Sequence, residues 1–131
     1  MIKTGINKIA SFFILRYNGE VIIKNKKMNI LTDDMFESSV KGSDKPVLVD
    51  IFTEWCPPCK KLGPIIEKLS EEYKGKVEFF KMDLDNSPKT GDMFGVDRIP
   101  TVVLFVNGGV KEKFVGLRPE EEIRKWIDSN I

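Results

Sequence analysis

At 131 residues, with 41% hydrophobic and 31% charged side chains, the chain suits one globular domain with a real core and does not suit disorder. Its 21 basic and 20 acidic residues leave a formal net charge of +1, which gives neither nucleic acid nor an anionic membrane a general hold on it. Histidine is absent, so Ser-His and Cys-His nucleophile pairs and histidine metal sites are excluded, and two cysteines are too few for a secreted disulfide framework.

The longest apolar stretch near the start, IASFFIL at 9–15, falls short of the about 20 residues that a membrane span needs. Lys3 and Lys8 precede it as in a signal peptide, but Arg16 and Tyr17 follow with no small-residue cleavage pattern. The expectation is therefore an intracellular protein. ILRYNGEVII (14–23) alternates about Asn18-Gly19 as a β-hairpin would, while Ile2, Ile6, Ile9 and Phe13 would equally make a helical stripe. KNKK (24–27) suits a solvated linker. Residues 1–27 are thus an N-terminal extension, hairpin or flexible arm, ahead of a domain at 28–131.

NIL (29–31) begins that domain as a short strand. Thr32 suits an N-cap, with Asp33 and Asp34 in the first turn of a helix and Leu31 and Phe36 spaced as a hydrophobic staple. PVLVDIF (46–52) has the near-continuous apolar, β-branched character of a strand buried on both faces. Leu62, Ile66, Leu69 and Tyr73 then recur at helical spacing up to Gly75, with Pro64 inside the helix as a kink site. VEFFKMDL (77–84) is the next strand, and Ser87 and Pro88 cap and open a short helix ending near Gly95. TVVLFV (101–106) and VKEKFVG (110–116) flank Asn107-Gly108-Gly109, a hairpin signal. Pro119 and three glutamates open a last helix with Ile123, Trp126 and Ile127 on one face. The order βαβαβαββα predicts an α/β fold with a central mixed sheet flanked by helices on both faces and right-handed crossovers.

Both cysteines fall in FTEWCPPCKKLGP (52–64), between a buried strand and a helix. A helix N-terminus carries unsatisfied N–H groups and about half a positive charge, and both favour a thiolate at Cys56. Cys59, one turn along, deeper and on the same side, is close enough to close a disulfide, so Cys56 would attack and Cys59 resolve. A zinc half-site would need two further ligands from carboxylates or a second chain. A static staple across so short a loop would stabilise little, which favours redox work. Asp50 lies in the same buried strand, where an unpartnered carboxyl is costly and tends to keep its proton, unless it sits exposed at the strand end.

VDIFTEWCPPCKKLGP resembles the active-site segment of the thioredoxin family, and RIPT (98–101) its second signature. The likeness runs over 28–131, including the Leu-Thr-Asp-Asp opening and the closing Val-Gly. It implies the thioredoxin fold and a thiol–disulfide oxidoreductase that reduces protein disulfides through Cys56 and Cys59. No metal or organic cofactor would be needed. Electrons would come from a thioredoxin reductase, and the protein would act as a cytoplasmic monomer, with an extracytoplasmic site left open. Asp50 matches the family's buried aspartate, which moves the proton of the resolving cysteine, and Lys81 matches the lysine near it. Pro100 matches the family's cis-proline, and Trp55, Ile99, Pro100 and Gly116 would form the apolar substrate-docking patch.

Two positions depart from the common pattern. Pro57-Pro58 replaces Gly-Pro between the cysteines, removing two N–H groups near the Cys56 sulfur and leaving mainly those of Cys59 and Lys60. Arg98 replaces a small or neutral residue and would favour the thiolate and acidic substrate segments, unless it is simply a solvated surface arginine. An isomerase or oxidase, or a reductase for cytochrome maturation, would share the fold. A non-catalytic binding module would not need Asp50, Trp55, Cys56, Cys59 and Pro100 together.

Overall fold

The computed structural model describes residues 28–131 in full and, ahead of them, the backbone of strands β1 (Phe13–Tyr17) and β2 (Glu20–Lys24). These two pair antiparallel, from Phe13 opposite Lys24 to Tyr17 opposite Glu20. The helical stripe through Ile2, Ile6 and Ile9, the Asn18-Gly19 turn and linker residues 25–27 lie outside the described residues.

Residues 28–131 form a five-stranded sheet with helices on both faces. Its strands are β3 (Asn29–Ile30), β4 (Val47–Phe52), β5 (Glu78–Asp83), β6 (Thr101–Val106) and β7 (Gly109–Val115), ordered β3-β5-β4-β6-β7. β4 is central, parallel to β5 and antiparallel to β6; β3 is parallel to β5, and β6 and β7 form an antiparallel hairpin. The sheet is therefore mixed, as the element order predicts. The β6–β7 turn takes positive φ at both Asn107 (54°) and Gly108 (83°), the backbone that Asn-Gly supplies most readily.

Alternation along β4 sends its side chains to two cores. Leu48 joins Leu62, Ile66 and Leu69 of helix α1 (Pro57–Glu72) and Ile123 and Ile127 of helix α3 (Glu120–Asn130). Val47, Val49 and Ile51 face the opposite way, toward Leu31, Phe36 and Val40 and the side of helix α2 (Pro88–Met93). Helix α1 runs uninterrupted past Pro64.

Two capping expectations are corrected. The segment after Thr32 is not a regular α-helix but a 3-10 turn (Asp33–Met35) followed by π-type turns (Glu37–Lys41), closed by the Gly42 N–H on the Glu37 carbonyl at 3.1 Å. Thr32 makes no side-chain cap bond there. Ser87 makes none at α2, and its buried hydroxyl has no partner among the described residues. Asp33 caps α2 from across the fold, accepting from the Lys89 N–H (3.2 Å), the Thr90 N–H (2.8 Å) and the Thr90 hydroxyl (2.6 Å). The first-turn acid thus serves a different helix.

Candidate active site

The cysteines lie where β4 gives way to α1. Cys56 is the N-cap of α1, with extended backbone (φ −97°, ψ 112°), and its N–H reaches the Thr53 carbonyl at 3.4 Å. Cys56 and Cys59 are joined as a disulfide with Cα atoms 5.3 Å apart. The two are equally enclosed, at 4% and 5% exposure, so depth does not tell them apart. Position does: the Cys59 N–H donates to the Cys56 sulfur at 3.2 Å, placing the helix-end donor on Cys56. Lys60 does not add a second donor, because its N–H bonds the Cys56 carbonyl at 3.2 Å. With prolines at 57 and 58, Cys59 alone among the described residues supplies backbone hydrogen bonding to that sulfur.

Asp50 shares the face of β4 that Leu48 presents to α1, and it is 4% exposed. Its Oδ1 has no hydrogen-bond partner among the described residues. Burial pushes its carboxyl from the ordinary 3.8 up to about 7, opposed by the positive charge of Lys81 and reinforced by the negative charge of Glu67. Lys81 is its register neighbour on β5, with its ammonium 4.0 Å from Glu67 Oε2 and 5.9 Å from the centre of the Phe52 ring. Thr53, just past the end of β4, also buries a hydroxyl with no partner among the described residues.

A shallow groove of about 290 Å³ opens beside the disulfide, lined by Pro57, Pro58, Lys61, Ile99, Pro100, Gly116 and Leu117. The Ile99–Pro100 bond is cis, and the Pro100 carbonyl accepts the Gly116 N–H at 2.8 Å, tying this loop to the end of β7. Gly116 has φ +95°, a conformation that suits glycine. Trp55 is 68% exposed, and its indole N–H donates to Asp85 Oδ2 at 3.0 Å, outside the groove lining. Arg98 is exposed and also outside the lining, with its carbonyl accepting the Thr101 hydroxyl.

The structure therefore brings Pro57, Pro58, Ile99, Pro100 and Gly116 together, and sets Asp50 and Lys81 side by side beneath α1. Sequence reasoning missed Lys61 and Leu117 in the groove, Asp85 on the tryptophan and Glu67 on Lys81. Lys61 carried a usable signal: it stands four residues after Pro57, one helical turn along the same face.

A redox-active cysteine pair capping a helix after the central strand of a mixed sheet, with a cis-proline groove beside it, defines a thiol–disulfide oxidoreductase. The thioredoxin family profile matches residues 27–129. The chain is 45% identical to a thioredoxin of Rickettsia felis over 103 residues, 79% of this chain and 98% of that protein. It is 46% identical to one of Rickettsia bellii over 101 residues, covering 77% and 96%. A chloroplastic M-type thioredoxin of Pisum sativum is 35% identical over 129 residues, covering 96% and 75%. The chain belongs to the thioredoxin family and is a protein-disulfide reductase, whose substrates are disulfide-bearing proteins and whose partner is a reductase. Among the described residues, no helix is long and apolar enough to cross a membrane.

Proposed function

We propose that the Cys56–Cys59 couple works in the cytoplasm as a monomeric electron carrier, recharged by a thioredoxin reductase, with residues 28–131 as the catalytic domain and 1–27 as an extension. In the reduced protein the Cys56 thiolate attacks one sulfur of a substrate disulfide. The other substrate sulfur leaves with the electron pair and takes a proton, and a mixed disulfide to Cys56 remains. Asp50 takes the Cys59 proton, and the Cys59 thiolate attacks the Cys56 sulfur. The second substrate sulfur leaves with the electron pair as the Cys56–Cys59 bond closes, and takes a proton from solvent. Two electrons have then passed to the substrate.

One observation carries this reading: a carboxyl whose Oδ1 has no partner among the described residues, half-ionised near pH 7, is buried on the face covered by the helix that bears both cysteines. Such a group can both take and return a proton at neutral pH. Trp55, Ile99, Pro100 and Gly116 form the docking surface for an extended substrate segment. Lys61 in the groove and Arg98 beside Ile99 favour acidic side chains on that segment.

The test is the equilibrium reduction potential of the couple in defined dithiol buffers. A value close to the roughly −270 mV known for thioredoxins supports reduction. One above about −200 mV places the protein with isomerases or oxidants and overturns the cytoplasmic reading.

A further inference from the structure

We propose that Glu67 is a positioning residue for this reaction: it holds the Lys81 ammonium away from Asp50 and so sets how readily the buried acid gives up its proton. The inference rests on the reading of Asp50 as the proton acceptor for Cys59. Asp50 and Lys81 are register partners on adjacent parallel strands. A buried carboxyl with a lysine beside it is ordinarily paired with that lysine, because the alternative is an uncompensated charge in a low-dielectric site. Here Asp50 Oδ1 is unpartnered, and the ion partner of Lys81 among the described residues is Glu67 Oε2 at 4.0 Å. Lys81 also leans over the Phe52 ring.

The placement follows from the helix. Ile66 is fully buried under α1, so Glu67, the next residue, is turned to the rim, with its side chain 38% exposed and that of Lys81 26% exposed. A lysine has a long enough stem to reach the rim while its backbone stays in the sheet. The charged groups that act on Asp50 are Lys81 from β5 and Glu67 from α1. β6 sets apolar Val102 opposite it, and α1 brings the buried Cys59 that it serves. Glu67 therefore acts twice, by repelling charge on Asp50 and by sharing the Lys81 cation that would stabilise that charge.

The experiment follows the Asp50 carboxyl by NMR titration of the whole chain, alongside the pH profile of disulfide reduction, in wild type, Glu67→Gln, Glu67→Asp, Asp50→Asn and the Asp50→Asn/Glu67→Gln double variant. Glu67→Gln should move the Asp50 titration to lower pH, by on the order of half a unit, and the matching limb of the rate profile with it. Glu67→Asp should restore much of the wild-type position. In the Asp50→Asn background, Glu67→Gln should leave the profile where it was. An unmoved Asp50 titration in Glu67→Gln overturns the proposal, as does a Glu67→Gln effect of equal size with and without Asp50. A separate outcome, Asp50→Asn keeping the wild-type pH profile, would overturn the proton-transfer reading itself.

Discussion

Because burial lifts the Asp50 carboxyl from 3.8 to about 7, the folded protein holds a proton that the unfolded chain releases over that range. Below the lower value both states are protonated and the ionisation of Asp50 makes no difference to stability. Between the two values stability falls as pH rises, and above the upper one the full cost, about 4 kcal/mol at most, is in place. Asp50→Asn should therefore be more stable relative to wild type at pH 8 than at pH 4, in denaturant titrations at both pH values, while reducing protein disulfides more slowly. An equal stability difference at both pH values would show that the carboxyl does not titrate in this window. Pro57→Gly tests the neighbouring sulfur. It returns an N–H beside a Cys56 sulfur that receives one backbone donor, so the reduced variant should form its thiolate at lower pH, read by ultraviolet absorbance. An unshifted titration would count against that account. At this scale, legibility depended on range. The burial of Asp50 could be read from Val-Leu-Val-Asp-Ile-Phe because six consecutive residues imply a central strand. Glu67 and Asp85 could not, since their partners lie in other elements that only the packed sheet brings near.

The elements were more legible than their ends. A near-continuous apolar run locates β4 and 3.6-residue spacing locates α1 and α3, because each has one or two faces to bury, and burial dictates residue type. Hydrogen-bond pattern is another matter. Leu31 and Phe36 are buried as the staple spacing suggests, and Val40 is buried with them, yet the backbone between them is 3-10 and π-type, and apolar spacing does not specify that. Caps were not legible: Thr32 and Ser87 make no side-chain cap bond, and Asp33, expected in a first turn of its own, bonds Thr90, 57 positions away. Asp33→Ala should cost about 1 kcal/mol by leaving the first turn of α2 uncapped, measured by chemical denaturation at neutral pH. Burial alone would raise the Asp33 carboxyl, but the Thr90 hydroxyl, the Thr90 and Lys89 amides and the Lys89 charge together hold it below 3.8. Its contribution is thus present above the ordinary carboxylate range and lost as pH falls through the lower folded value. The penalty of Asp33→Ala should shrink in acid. A penalty of the same size in acid would assign it to packing.

For the whole molecule, the fold class was legible because the cysteine motif, the Ile-Pro-Thr segment and the alternating elements all belong to one plan, whereas the pattern before Met28 suited a hairpin and a helical stripe equally. The strands β1 and β2 pair with each other as a two-stranded sheet, and the five-stranded sheet begins at Asn29. The family profile begins at residue 27. The Rickettsia felis relative is covered to 98% of its length by a 103-residue alignment, which leaves it no room for a counterpart of residues 1–27. The thioredoxin of Rickettsia felis thus does without such an extension. A chain beginning at Met28, itself only 7% exposed, should therefore fold cooperatively and melt within about 5 °C of the longer protein. Its kcat/KM toward a protein disulfide should stay within about twofold, because Cys56, Asp50 and the Pro100 groove all lie in the retained part. Thermal denaturation and steady-state reduction of one disulfide substrate decide the matter. A non-cooperative melt would make the extension part of the core, while intact folding with a large fall in kcat/KM would make it part of substrate or reductase docking.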